Sequence, residues 1–238
     1  MKVHNSIFLN YVANAILQSM KWRFLYLLLI IILLAGCQSV KKNSERDLMK
    51  EEKQRELLIT SVEDAIFLTD RLAFSEKANY NFNSTFRPYE EKLAEFRSLE
   101  DDYRAKLSEI LSSCIPEISV LLLDELENVD FTNPDEYISS GYVSISAILI
   151  GESRERTLLI ISRTIEEHKA ELDSIYAEMK IVADNWKANL ENLSLVGITK
   201  IVDEIVEPTV SELSHWARDE YFTLLGDNEV STRYRKVK

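Results

Sequence analysis

Glycine and proline are scarce in this 238-residue chain, numbering five and four. With so few residues suited to tight turns, a fold of many short strands is excluded and long uninterrupted elements are favoured. Cysteine occurs twice, at Cys37 and Cys114, which is too few for a disulfide framework. Histidine occurs three times, and the sequence holds no G-x-G-x-x-G, no P-loop and no G-x-S-x-G elbow, so the common nucleotide-binding and hydrolase signatures are missing. Acidic residues are absent from the first 44 positions and abundant afterwards, 40 in all against 28 Lys and Arg, for a net charge of −12. That balance repels nucleic acid and anionic lipid headgroups, so no nucleic-acid partner is expected.

What the sequence does contain begins with "KWRFLYLLLIIILLAGCQSV", residues 21–40. Lys21 and Arg23 lead into an apolar run from Phe24 to Ala35. Those twelve residues would reach about 18 Å as a helix, short of the roughly 20 residues needed to span a bilayer. A positive start, a short apolar stretch and the small pair Ala35-Gly36 match a secretory signal that is removed.

Leu34-Ala35-Gly36-Cys37 resembles the lipobox of bacterial lipoprotein precursors at every position. The resemblance implies cleavage before Cys37 and a diacylglyceryl group on its sulfur. Two or three acyl chains hold a protein firmly at a membrane surface, because each buried methylene contributes about 0.8 kcal/mol. Residues 1–36 are therefore read as a signal peptide and 37–44 as the lipidated terminus and a short tether. A signal of ordinary length starts at Met20, and translation from Met1 or from Met20 leaves the same mature chain. Gln38, where some lipoproteins carry an inner-membrane retention aspartate, implies the periplasmic face of the outer membrane. Three of the 28 basic residues (Lys2, Lys21, Arg23) precede Cys37 and all 40 acidic ones follow it, so the region from Cys37 carries a net charge of −15.

Beyond the tether, apolar residues recur at steps of three and four, the period of an amphipathic helix. Leu48, Leu58, Val62, Ala65, Ile66, Leu72 and Ala73 predict a helix from about residue 44 to residue 77. A second runs from Ser84 or Thr85 along the seam Leu93, Phe96, Leu99, Tyr103, Leu107, Ile110 and Cys114. Pro116 either kinks this helix or starts a new one. "YVSISAILI", residues 142–150, alternates like a strand but has no partner strand, and is read as helical. Leu158, Ile161, Ile165, His168, Leu172, Ile175, Met179, Val182, Trp186, Leu190 and Leu193 predict one helix of about 54 Å. A last helix carries Leu213, Trp216, Ala217 and Leu224, with Gly226 as its stop. The expected fold is all-α, an elongated antiparallel bundle of four to six helices over 45–226, several long and coiled-coil-like, followed by a flexible basic tail, 227–238. A two-stranded coiled coil of two copies is the rival, and turns near 80, 130 and 197 favour a chain folded back on itself.

Candidate chemistry is sparse. His168 stands in an apolar seam where a packed histidine is the simpler assignment. His215 forms a single Glu212-x-x-His215 where a di-metal bundle needs two such pairs. Cys114 continues an apolar seam, as a buried, inert thiol does. Paired carboxylates such as Glu90-Glu91 and Asp101-Asp102 read as solvated faces. Tyr80, Phe82, Phe86 and Tyr89 cluster with three asparagines between the first two helices; they either fill the bundle end or, if exposed, form a rim for a partner.

The mature region bears a faint resemblance, in length and helical punctuation, to uncharacterised all-helical envelope lipoproteins of Gram-negative bacteria. The expectation is a lipid-anchored envelope protein with no catalytic activity, cofactor or metal, acting as a protein-binding, scaffold or inhibitor and immunity-type module. Its partners would be the membrane, through Cys37, and another envelope protein or a second copy. The alternatives are a carrier of an apolar ligand in a cavity lined by Leu158, Ile165 and Trp186, and an envelope enzyme using carboxylates with His168 or His215.

Overall fold

The computed structural model describes residues 48–129, 134, 145–194 and 202–237, excepting the side chains of 193, 194, 234, 236 and 237. Cys37 and the lipobox, the turns near 130 and 197, and the tether lie outside these residues. The chain divides into two compact units, Met1–Gln54 and Arg55–Lys238. Residues 48–54 of the first are helical, with Leu48 and Met49 exposed. The second unit holds α1 (residues 55–72), α2 (Arg87–Lys92), α3 (Ala94–Asn128), α4 (Ile145–Glu167), α5 (Lys169–Ser194) and α6 (Val210–Val237). Six helices and no strand among the described residues make the fold all-α.

α3 is the spine. Its seam residues Phe96, Tyr103, Leu107, Ile110 and Cys114 are buried, and the seam continues through Ile118 and Leu122. Pro116 lies inside this one continuous helix on its exposed side, where the carbonyl its missing N–H leaves unpaired faces water. α1 lies antiparallel to α3: Asp70 accepts from Ser119, while Ser112 donates to the Phe74 carbonyl at 3.2 Å and Ser108 to that of Glu76 at 2.6 Å. α4 is antiparallel on another flank, with Arg156 paired to Glu125 and Arg163 to Glu117. α6 completes a four-helix antiparallel bundle. Along α1 it joins Asn228 to Thr69 at 3.0 Å, Tyr221 to Asp70 at 3.0 Å and Trp216 to Phe74 at 6.1 Å between rings.

Four expectations change. The predicted first helix to residue 77 stops at 72, because Phe74 adopts a left-handed φ of 54°, a conformation disfavoured for any residue but glycine. Its ring lies beside that of Trp216. Leu93, placed in the seam of one helix, is extended and separates α2 from α3. The predicted 54 Å helix is two, α4 and α5, parted at His168, whose N–H bonds to the Ile165 carbonyl three residues back. The break lets α4 pack on the C-terminal half of α3 while α5 packs on its N-terminal half, tied by Lys106 to Glu171 at 3.2 Å.

The fourth concerns the last helix. Gly226 does not stop it, and residues 227–237 are not a flexible tail: Asn228, Glu229 and Arg233 are buried. Glu229, 1% exposed, accepts from the N–H groups of Ile145 and Ser146 at 3.1 and 2.8 Å and pairs with Arg233 at 3.1 Å. A side chain of α6 thus caps α4, satisfying donors that the start of any helix leaves open. Of "YVSISAILI", residues 145–150 are helical as expected and 142–144 lie outside the described residues. Ser146 and, further along α4, Ser153, Thr157 and Thr164 are buried. Ser153 and Thr164 return their hydroxyls to carbonyls four residues back.

Candidate functional site

Residues 75–86 fold back along the first half of α3. The N–H of Ala78 meets the Arg104 carbonyl at 3.4 Å, and Arg104 Nε donates to the Tyr80 carbonyl at 3.1 Å. Asn83 accepts from the N–H of Thr85 at 3.0 Å and donates to the Val206 carbonyl at 3.2 Å, fastening this loop to the extended segment before α6. Pro88 opens α2, as a residue with no N–H to lose suits a first turn.

A chain of rings runs through the layer. Trp216 meets Tyr80 edge-on at 5.4 Å, Tyr80 meets Phe82 at 5.3 Å, and Phe82 stacks on Phe86 at 4.5 Å. Phe96 lies between Phe86 and Tyr89, and Tyr89 reaches Trp186 of α5 at 5.3 Å. Phe86 and Tyr89 are each 1% exposed, while Tyr80 and Phe82 are half-buried against the core. Of the four aromatics read as filling the bundle end or forming a rim, Phe86 and Tyr89 are interior, while Tyr80 and Phe82 keep part of their surface open. Tyr89 adds a hydrogen bond of 2.6 Å to the Asp203 carbonyl.

Above this floor opens a cleft of about 730 Å³ lined by Phe82, Phe86, Arg87, Glu90, Glu91, Arg97, Glu100 and Arg104, together with Asn81, Asn83 and Ser84. Glu100 is its unusual member. The residue is 1% exposed, its Oε1 accepts from Arg104 at 3.2 Å, and its Oε2 has no hydrogen-bond partner. Burial pushes the carboxyl up to about 7; Arg104 pulls the other way, and the Glu90 charge adds to the rise. Such a group exchanges its proton near neutrality.

Each arginine around it makes at least one bond within the chain. Arg104 serves Tyr80, Glu100 and Asp101 and lies 5.1 Å from the centre of the Phe82 ring. Arg87 bonds Glu91 at 3.0 Å, and Arg97 bonds the Glu90 carbonyl at 3.3 Å.

The spacing Phe96, Glu100, Tyr103, Leu107 puts Glu100 in the buried register of α3. That step pattern was the signal available. Elsewhere the histidines stand apart from this cleft: His168 is half-exposed and holds Glu171 at 2.8 Å, while exposed His215 bonds the Ser211 carbonyl at 2.8 Å. Cys114 is buried and donates to the Leu111 carbonyl, and burial pushes its thiol up to about 11. Of the trio required of a ligand carrier, Ile165 is in the core of α4 and Trp186 lies against Tyr89.

Two shallower grooves flank α3. One, between α1 and α3, is lined by Ile59, Phe67, Leu123 and Leu126; the other, between α3 and α4, by Val120, Leu121, Leu159 and Ile160. Among the described residues no group of three His, Cys, Asp or Glu could hold a metal ion, and no helix is long and apolar enough to cross a membrane. Compared with known proteins, the chain matches no family model, and neither a curated protein nor a solved structure matches it.

Proposed function

We propose that this protein is a lipid-anchored helical module of the cell envelope that binds another protein and carries out no catalysis. The reading joins two parts. Anchoring rests on Leu34-Ala35-Gly36-Cys37 and the short apolar run before it, and the outer membrane facing the periplasm is the location Gln38 favours.

Protein binding rests on one observation above others: the buried apolar side chains of α1, α3, α4, α5 and α6 gather in a single core cluster running from Leu58 to Leu225. Recognition then falls to the surface, where Phe67, Val120 and Leu159 stay exposed amid a strongly acidic chain. Such a surface suits a basic partner, because charge complementarity speeds encounter and disfavours wrong partners.

Crosslinking the protein in intact cells, followed by mass spectrometry, tests the binding part. Recovery of one basic envelope protein in stoichiometric amount is expected; recovery of the chain alone or crosslinked to itself refutes it. Anchoring has its own test. Cys37→Ser abolishes metabolic fatty-acid labelling and leaves an uncleaved precursor, and undiminished labelling of that variant would reject lipidation at Cys37.

A further inference from the structure

We infer that a second copy of this chain docks on the groove between α3 and α4, the two copies being related by a two-fold axis that runs along the helices. This goes beyond the reading above: it assigns Val120 and Leu159 to self-pairing and leaves the groove beside Phe67 to another protein.

The groove has a volume of about 510 Å³ and includes Leu121 and Ile160, both buried, beside Val120 of α3 and Leu159 of α4. Val120 and Leu159 are 68% and 69% exposed, the highest values among the large hydrophobic side chains of the described residues. Apolar side chains held together in water on two packed helices form the kind of patch a partner covers.

Charge selects the partner. The α3 side of the groove carries Glu117 and Asp124, and the α4 side carries Arg156 and Arg163. A uniformly basic surface is repelled by the arginines and a uniformly acidic one by the carboxylates. The face that fits carries acids and bases in the opposite order at the same heights. This chain presents that face itself.

The heights follow from pairs within the chain. Arg163 is bonded to Glu117, and Arg156 to Glu125, the neighbour of Asp124. The antiparallel helices therefore set Glu117 level with Arg163 and Asp124 level with Arg156, with Val120 and Leu159 between them. A half-turn about an axis along the helices lays α3 of one copy over α4 of the other without changing height. Glu117 then meets Arg163 of the other copy, Asp124 meets its Arg156 and Val120 its Leu159, each contact occurring twice as in any isologous interface. A two-fold across the helices instead lays α3 on α3 and α4 on α4, setting Glu117 against Asp124 and Arg156 against Arg163. Like charges disfavour that arrangement. Glu117, Arg156 and Arg163 each keep about half of their side chain exposed, which leaves room for a second ion pair. The favoured axis also keeps the start of α1 at the same end in both copies, as two chains anchored in one membrane require.

Eight residues line the groove on each copy, fewer than the roughly 20 per side of a standard stable interface. The pairing is therefore reversible, and holding both chains on one membrane favours it by raising their effective concentration.

The full chain, purified in detergent, supplies the test. Two differently tagged populations, Val120→Cys and Leu159→Cys, are mixed and oxidised with copper phenanthroline, with the unsubstituted chain as blank; Cys114 is buried and does not compete. The expected product is the disulfide that joins the two tags. Same-site disulfides stay minor, because the two copies of each position lie farther apart than the roughly 7 Å between Cα atoms that a disulfide bridges. Sedimentation equilibrium gives a monomer–dimer mixture, and Val120→Asp weakens the association about tenfold or more by placing a carboxylate in the apolar centre. Charge is tested by a Glu117→Lys, Asp124→Lys chain and an Arg156→Glu, Arg163→Glu chain. Neither associates with itself, and their mixture does.

Same-site disulfides as abundant as the mixed one, a wild-type chain that is monomeric at every concentration reached, or self-association of either charge variant as tight as wild type each overturns the proposal. The two readings fail separately. Self-crosslinks in cells beside a basic envelope protein agree with both; self-crosslinks alone remove the other partner and leave this pairing standing, while a monomeric chain that still recovers that partner removes this pairing alone.

Discussion

Replacing Glu229 with alanine removes three interactions at one point in the bundle. The carboxylate caps the N–H groups of Ile145 and Ser146 at 3.1 and 2.8 Å and pairs with Arg233 at 3.1 Å, all between buried groups. Loss of a helix cap costs about 1 kcal/mol. Removing one partner from a buried ion pair costs about 3–5 kcal/mol, because the other charge stays desolvated. These losses share one side chain and do not add, so the expected destabilisation is about 3–5 kcal/mol in all. For a domain of this size it lowers the melting temperature by roughly 6–20 °C. Urea unfolding followed by far-ultraviolet circular dichroism reads the change as a lower midpoint with an unaltered slope. Glu229→Gln, which keeps an acceptor for the α4 cap and loses the charge, should fall between alanine and wild type. A shift below about 1 kcal/mol for Glu229→Ala would mean that residues after Gly226 do not pack as described, restoring the flexible tail.

Two further outcomes bear on the same structure. Gly226→Ala should stabilise the protein by about 0.5–1 kcal/mol, since alanine is the better helix former and its Cβ would meet nothing nearer than Ser146 Oγ at 3.9 Å; destabilisation would place Gly226 at a left-handed helix end instead. Glu100 makes stability fall as pH rises from its ordinary value of 4.5 to about 7, because over that interval the folded state holds the proton more tightly than the unfolded state does. The urea midpoint of Glu100→Gln should therefore decline less than that of wild type between these pH values and run parallel to it above them; equal slopes throughout would refute the burial of this carboxyl.

Most of the architecture was legible because helical periodicity reports on burial. Phe96, Tyr103, Leu107, Ile110 and Cys114, like Leu58, Val62 and Ile66, are buried, while Leu99 of the same seam is half-buried. The misread boundaries have tertiary causes. Gly226 looks like a helix end until α4 is laid beside it, since Glu229 finds its partners some eighty residues away in sequence. The break at His168 is invisible in a seam that keeps its three–four rhythm on both sides, because backbone bonding and not side-chain pattern is interrupted there. The aromatic cluster was correctly located, but periodicity could not say which rings point inward. The capping box at the start of α6, Thr209 with Glu212, was readable as T-x-x-E and its reciprocal bonds of 3.2 and 2.8 Å are present. Glu100 was hidden by its type: a carboxylate in an apolar register suggests a solvated face until the neighbours at 96 and 103 are weighed.

The bonds that close α1 against α6 join residues 159 and 151 positions apart. In kinetic terms the bundle is slower to form than its helical content suggests, because its final layer waits on a long loop closing, and folding rate falls as contacts become less local. Until then Leu213, Ala217, Tyr221 and Leu225, which are buried on α6, stay uncovered, and a nascent or damaged chain whose α6 cannot dock is left sticky throughout that interval. Proteases and holdase chaperones would therefore recognise this protein by the absence of one helix, and a lesion in α6 would reduce its abundance more than a lesion of equal energetic size on the outer face of α5.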